Sequence, residues 1–152
     1  MFQVDATTWG QPSSPQVREV ERGAIRKFAR ALGLSNPVHF SVDAAVAAGF
    51  RDLVAPPTFP ITLVTWEVPG LVLPSAGLIH GEQTIRLGAS ICAGDVITVR
   101  AWGDDVKSRA GVRGRMHIVS VINQGSGQNG EEVFWTRAVV IVHEEGMTRE
   151  NG

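Results

Sequence analysis

Four long runs rich in valine, isoleucine, threonine and tryptophan dominate the second half of this chain, at residues 80–91, 95–106, 112–123 and 131–143. β-Branched and aromatic side chains suit a pleated, half-buried surface. The runs are separated by glycine-bearing turns: Ala93-Gly94-Asp95, Gly111, and the stretch from Gly125 to Gly130. Short connections make consecutive strands antiparallel neighbours, so these segments predict a long meander. From Met116 to Ile122 and from Val133 to Val142, residues on both sides of the strand are largely apolar. Such strands need cover on both faces, which predicts a helix on one and a partner subunit on the other.

The first half reads as helices. Ile25, Phe28, Ala29 and Leu32 fall at i, i+3, i+4 and i+7, the stripe of an amphipathic helix, and Gly33 is a natural stop after it. Asn36-Pro37 marks a turn, and Ser41 is placed to cap a short helix from Val42 to Ala48, closed by Gly49. Ala55-Pro56-Pro57 forces an extended lead into Thr58–Trp66. That segment has no polar face before Glu67, which predicts an apolar helix buried nearly all round, with Pro60 in its first turn. Residues 1–18 are expected to be an irregular lead-in with a short strand. Helices followed by strands make one α+β domain over residues 1–152.

Several function classes recede on composition. Net charge is −1 and no basic run stands out, which disfavours nucleic acid or an anionic membrane as a partner. No apolar stretch approaches the roughly 20 residues of a membrane span. The N-terminus lacks a basic start followed by an apolar core, and the single cysteine, Cys92, has no internal partner. A reducing cytoplasm is the expected setting. The histidines lack helix-face metal spacing, so no metal is expected; there is also no glycine-rich phosphate loop and no nucleophile elbow.

The segment from Phe28 to His39 carries Gly33, Asn36, Pro37, Val38 and His39 in the order glycine, any two residues, asparagine, proline, aliphatic, histidine. It resembles the signature of the MaoC-like (3R)-hydroxyacyl dehydratases and hydratases. Leu53 to Phe59 looks like the segment leading into that family's central helix. His80-Gly81-Glu82-Gln83 and Ala93-Gly94-Asp95 resemble the N-terminal, FAS1-like type of domain, as in double-hot-dog dehydratases and the small subunits of heterodimeric ones. The resemblance covers about residues 18–143. It implies a hot-dog fold, an antiparallel β-sheet wrapped around a central apolar α-helix. It also implies a dehydratase or hydratase acting on 3-hydroxyacyl or enoyl thioesters of coenzyme A or an acyl carrier protein. No cofactor is implied. The partner would be a second copy or a related hot-dog subunit. Two alternatives remain: a non-catalytic subunit that binds the acyl chain, and a hot-dog thioesterase.

One departure stands out. In active members an aspartate at position 34 works with the histidine, and here that position is Leu34. A carboxylate and an imidazole together activate or expel water near neutral pH; leucine does neither. The catalytic candidates are therefore His39 with Asp43 or Glu82 in place of the missing acid. Asn36, Pro57, Thr58, His80 and Gly81 are expected to bind substrate. In a regular strand His80 and Glu82, two apart, share a face, with Gly81 permitting close approach of a ligand. The bland readings are a turn histidine for His39, a solvated cap for Asp43 and a polar edge pair for His80 and Glu82. Arg86, Arg100, Arg113 and Arg115 are candidates for the carrier's phosphates, or simply part of a solvent face.

Overall fold

The structure is a computed structural model and describes residues 1–145 other than Arg113. The elements in order are β1 (Gln3–Val4), β2 (Gln16–Glu19), α1 (Arg22–Ala31), a 3-10 turn (Pro37–His39), α2 (Val42–Ala47), a second 3-10 turn (Phe59–Thr62), β3 (Leu71–Val72), and the long strands β4 (Leu78–Leu87), β5 (Val96–Gly111), β6 (Gly114–Ser126) and β7 (Glu132–Glu145). A five-stranded antiparallel sheet runs in the order β2-β5-β6-β7-β4, and β1 pairs separately with β3. The meander and the α+β class agree with the sequence. The spatial order does not follow the chain, because β4 crosses over to pair with β7 and becomes an edge.

The helix-end signals act as read, but Leu32, the last residue of the expected stripe, is the C-cap of α1 and 51% exposed. Ser41 Oγ accepts the Ala44 N–H at 3.2 Å and caps α2. At the end of α1, Gly33 has φ +69°, and the Gly33 and Leu34 N–H groups bond back to Arg30 and Ala29. This double closure at a left-handed glycine satisfies carbonyls the helix leaves open. The buried stripe of α1, Ile25 and Ala29, lies over one end of the sheet, where Ile25 clusters with Leu53, Phe59, Ile97, Val99 and Phe134. A second cluster, Val68, Ala101, Val119, Val121 and Val142, is closed by Phe2, Trp9, Leu71 and Leu73. Gly103 is required there, since a Cβ on it would come within 2.4 Å of the Trp9 ring.

The helix expected from Thr58 to Trp66 is absent. One 3-10 turn, Phe59–Thr62, stands in its place, and Ile61 and Trp66 are 44% and 43% exposed. Five of the nine residues, Thr58, Ile61, Thr62, Val64 and Thr65, are β-branched and weaken a helix. Tertiary contact finishes the matter. Buried Asn123 of β6 accepts the Thr65 N–H at 2.8 Å and donates to the Thr65 carbonyl at 3.1 Å. Its amide acts as a peptide would, taking both backbone groups that a helix would need.

Candidate active site

The loop after α1 presents His39. Asn36 Oδ1 accepts the Val38 N–H at 3.3 Å, and Pro37 starts the 3-10 turn at a position where no N–H is needed. His39 is buried, and its Nδ1 lies 2.7 Å from the Val54 carbonyl. A carbonyl only accepts, so Nδ1 carries a proton, and in the neutral tautomer the lone pair is on Nε2. The Val38 carbonyl in turn accepts the Val54 N–H at 3.0 Å, which locks the two segments together. Among the described residues His39 forms no ion pair with a carboxylate. Leu34, where the acid was sought, is partly exposed at the helix terminus, and its N–H closes α1.

The other candidates are scattered. Asp43 is solvent-exposed in the first turn of α2. Pro57 lines a cavity of about 190 Å³, with Val54, Pro56, Pro60, Leu87 and Ser90 among its walls. Thr58 precedes the second 3-10 turn and is exposed. The pairing of His80 with Glu82 on one face is overturned. Gly81 is the extra residue of a β-bulge, so His80 stands opposite Val140 while Glu82 stands opposite Val139. Val140 and Val139 point to opposite sides of β7, and cross-strand partners share a side, so His80 and Glu82 are on different faces. Glu82 instead lies 4.0 Å from Arg137 on the open face. His80 lines a second cavity of about 380 Å³ with Trp66, Leu73, Leu78 and Val140. A Cβ at Gly81 would meet only ordinary protein contacts, with Ile141 at 3.4 Å.

Two of the four strand arginines have partners. Arg86 stacks over Trp135 and pairs with Glu132, and Arg100 donates to the Ser13 carbonyl. Arg115 is exposed near the start of β6, and Arg113 lies outside the described residues. Sequence reasoning missed Val54, whose contribution is a backbone carbonyl and leaves no side-chain signal. It also missed Leu73 and Leu78, and Trp66, which read as a buried aromatic. A chain of bonds from Ser108 to His117 to Glu144, at 2.7 and 3.2 Å, was not foreseen either. His117 is buried there against Phe2, and the arrangement pins the N-terminus. Among the described residues there is no group of three or more metal-ligating side chains and no helix long and apolar enough to cross a membrane.

Comparison with known proteins bears on this arrangement. The FAS1-like, dehydratase domain region family matches residues 7–136, most of the chain. The chain belongs to that family. This FAS1-like dehydratase-region domain is 35% identical to a UPF0336 protein of Streptomyces coelicolor, covering 88% of this chain and 91% of the relative. Its fold is similar to that of a C-terminally truncated HadBC (3R-hydroxyacyl-ACP dehydratase) complex from Mycobacterium tuberculosis. That likeness has TM-score 0.72 and 26% identity, over 88% of this chain and 96% of the other. A MaoC-like dehydratase from Rhodospirillum rubrum shares the fold, with TM-score 0.68 and 21% identity over 91% and 94%. The hot-dog assignment and the MaoC-like resemblance therefore hold for the FAS1-like domain.

Proposed function

We propose that this protein is a subunit of a (3R)-3-hydroxyacyl-thioester dehydratase or hydratase, with His39 as its acid–base group. The observation that carries this is the Nδ1 bond to the Val54 carbonyl, which in the neutral tautomer leaves the lone pair on Nε2. In the dehydration direction Nε2 takes the α-proton, and the 3-hydroxyl leaves as water once protonated. One imidazole without a carboxylate supplies half of that exchange.

The missing half has two candidate sources. One is a related hot-dog subunit. The β4 edge is ten residues long and almost wholly exposed, and Leu78, Ile79 and Leu87 are uncovered along it. An unpaired edge of that kind supports sheet continuation into a second chain. The other source is Asp43, which follows the His39 turn closely in the chain. Val54, whose carbonyl holds His39, also lines the 190 Å³ cavity with Pro56, Pro57, Pro60 and Leu87, and that cavity is the one adjoining the imidazole where an acyl group would lie. A second reading follows from Leu34: the subunit binds the acyl chain and a partner does all the chemistry.

Hydration of crotonyl-CoA by the purified chain, alone and co-expressed with a related hot-dog subunit, tests both. His39→Ala in the active preparation should cut the rate about 10²–10⁴-fold. Activity unchanged by His39→Ala supports the second reading and overturns the first.

A further inference from the structure

Ser108, His117 and Glu144 form a chain of hydrogen bonds in which the His39 turn takes no part. Ser108 stands directly opposite His117 across the β5–β6 pair, and Glu144 lies two residues beyond Val142, the partner of His117 on β7. Cross-strand partners and residues two apart share a face, so the three side chains meet on the side of the sheet that carries Val119, Val121 and Val142. The chemistry of each group fixes the direction of the bonds. A carboxylate only accepts, so the His117 Nε2 that lies 3.2 Å from Glu144 Oε2 carries a proton. That bond holds the Glu144 carboxyl below its ordinary range, so it is ionised at neutral pH. In the neutral tautomer of His117 the lone pair is then on Nδ1, and the Ser108 hydroxyl, 2.7 Å away, donates to it. The Phe2 ring stacks on the imidazole, with ring centres 4.2 Å apart. The imidazole is buried, whereas Ser108 is exposed to solvent.

A hydroxyl that donates to a neutral imidazole, whose far nitrogen is oriented by a carboxylate, is an activated nucleophile by geometry, whatever the order of the residues in the chain. Arg115 adds a cation. It stands opposite Ala110 and two residues from His117, which puts it on the same face about 7 Å along β6, and it is exposed. A cation there suits the negative charge that develops on a carbonyl oxygen under attack. We infer that Ser108 is a nucleophile that takes the acyl group of a small carboxylic ester, with His117 as its base and Glu144 as a positioning residue. Ser108 Oγ bonds to the ester carbonyl carbon while its proton passes to His117 Nδ1. The ester C–O bond breaks, and the alcohol leaves with that proton. Water then attacks the acyl-serine through the same base, releasing the acid and restoring the hydroxyl. None of these steps uses a residue of the His39 turn, so the thioester reading neither supports nor limits them.

The probes are p-nitrophenyl acetate, which leaves an acetyl group, and an alkyl fluorophosphonate, which leaves an adduct that water does not remove. Peptide mass spectrometry on the full chain should place both on Ser108, and nitrophenolate should appear in a burst. Ser108→Ala, at an exposed position, should remove the adducts and the burst while leaving the circular dichroism unchanged. His117→Gln should slow modification of Ser108 about 10²–10⁴-fold, the usual cost of losing a general base. Glu144→Ala should slow it as well. Glu144→Gln, whose amide oxygen still accepts the Nε2 proton, should recover part of the rate; a purely structural role would move the unfolding midpoint and leave the reactivity of Ser108 unchanged. If His117→Gln does not fold, the two Glu144 variants decide the dependence on the imidazole. No adduct on Ser108 from either reagent overturns the inference. So does modification that is as fast without His117 or Glu144 as with them, which would make Ser108 an ordinary surface hydroxyl.

Discussion

Replacing Asn123 by leucine isolates the contact that decides the path of residues 63–68. The two side chains are close in size, so the change removes hydrogen bonds more than volume. Asn123 is 3% exposed, and both of its amide groups are bonded to the Thr65 backbone, at 2.8 and 3.1 Å. The leucine variant leaves the Thr65 N–H and C=O without those partners beside a buried site. Each such orphan costs about 1–3 kcal/mol, which gives a loss of about 2–5 kcal/mol after partial rehydration. Urea unfolding followed by circular dichroism should show the midpoint falling with the slope unchanged. Asn123→Asp sharpens the test. It keeps an acceptor for the Thr65 N–H but sets a buried carboxylate against the Thr65 carbonyl. Burial and that carbonyl raise the folded-state pKa of the new acid above its unfolded value. The variant is then most stable below the unfolded pKa, where the neutral acid donates as the amide did, and it weakens as pH rises through the folded pKa. A leucine variant losing less than about 1 kcal/mol, or an aspartate variant insensitive to pH, would refute the claim that Asn123 holds the segment out of a helix.

Three further outcomes follow. Gly125→Ala should destabilise the protein by about 1–3 kcal/mol in the same unfolding assay, because its Cβ would fall 2.2 Å from the ring of fully buried Phe134; a neutral result would mean the ring moves freely. The His117 hydrogen bond holds Glu144 below its ordinary carboxylate pKa of 4.5, and the Arg22 guanidinium does the same for Asp52. A depressed folded pKa contributes stability above the unfolded value and loses it as pH falls through the folded one, so stability should drop in the acid range and Glu144→Gln should flatten part of that limb. Leu34→Asp should raise the crotonyl-CoA hydration rate of the chain alone, and His39→Ala in that background should abolish the gain; a gain that survives would place the acid's partner elsewhere.

Much of the framework is legible in local residues. The strands announce themselves through β-branched runs broken by Gly94, Gly111 and Gly125–Gly130, because the constraint is a two-residue period and a turn that glycine accepts. Gly33 and Ser41 mark helix ends through contacts no further than a few residues away. Asn36 and His39 fall within one turn for the same reason, so half of the candidate site could be named before the fold was known. What the chain could not show locally depends on a second segment. The bulge that separates His80 from Glu82 exists only relative to Val139 and Val140 on β7. The fate of Thr58–Trp66 rests on Asn123, 58 residues from Thr65. The tautomer of His39 rests on a carbonyl 15 residues away, at Val54. Sequence periodicity decides which residues want burial and turns. Register and long-range hydrogen bonds, closed only when the sheet assembles, decide which side chains share a face and which nitrogen is left basic.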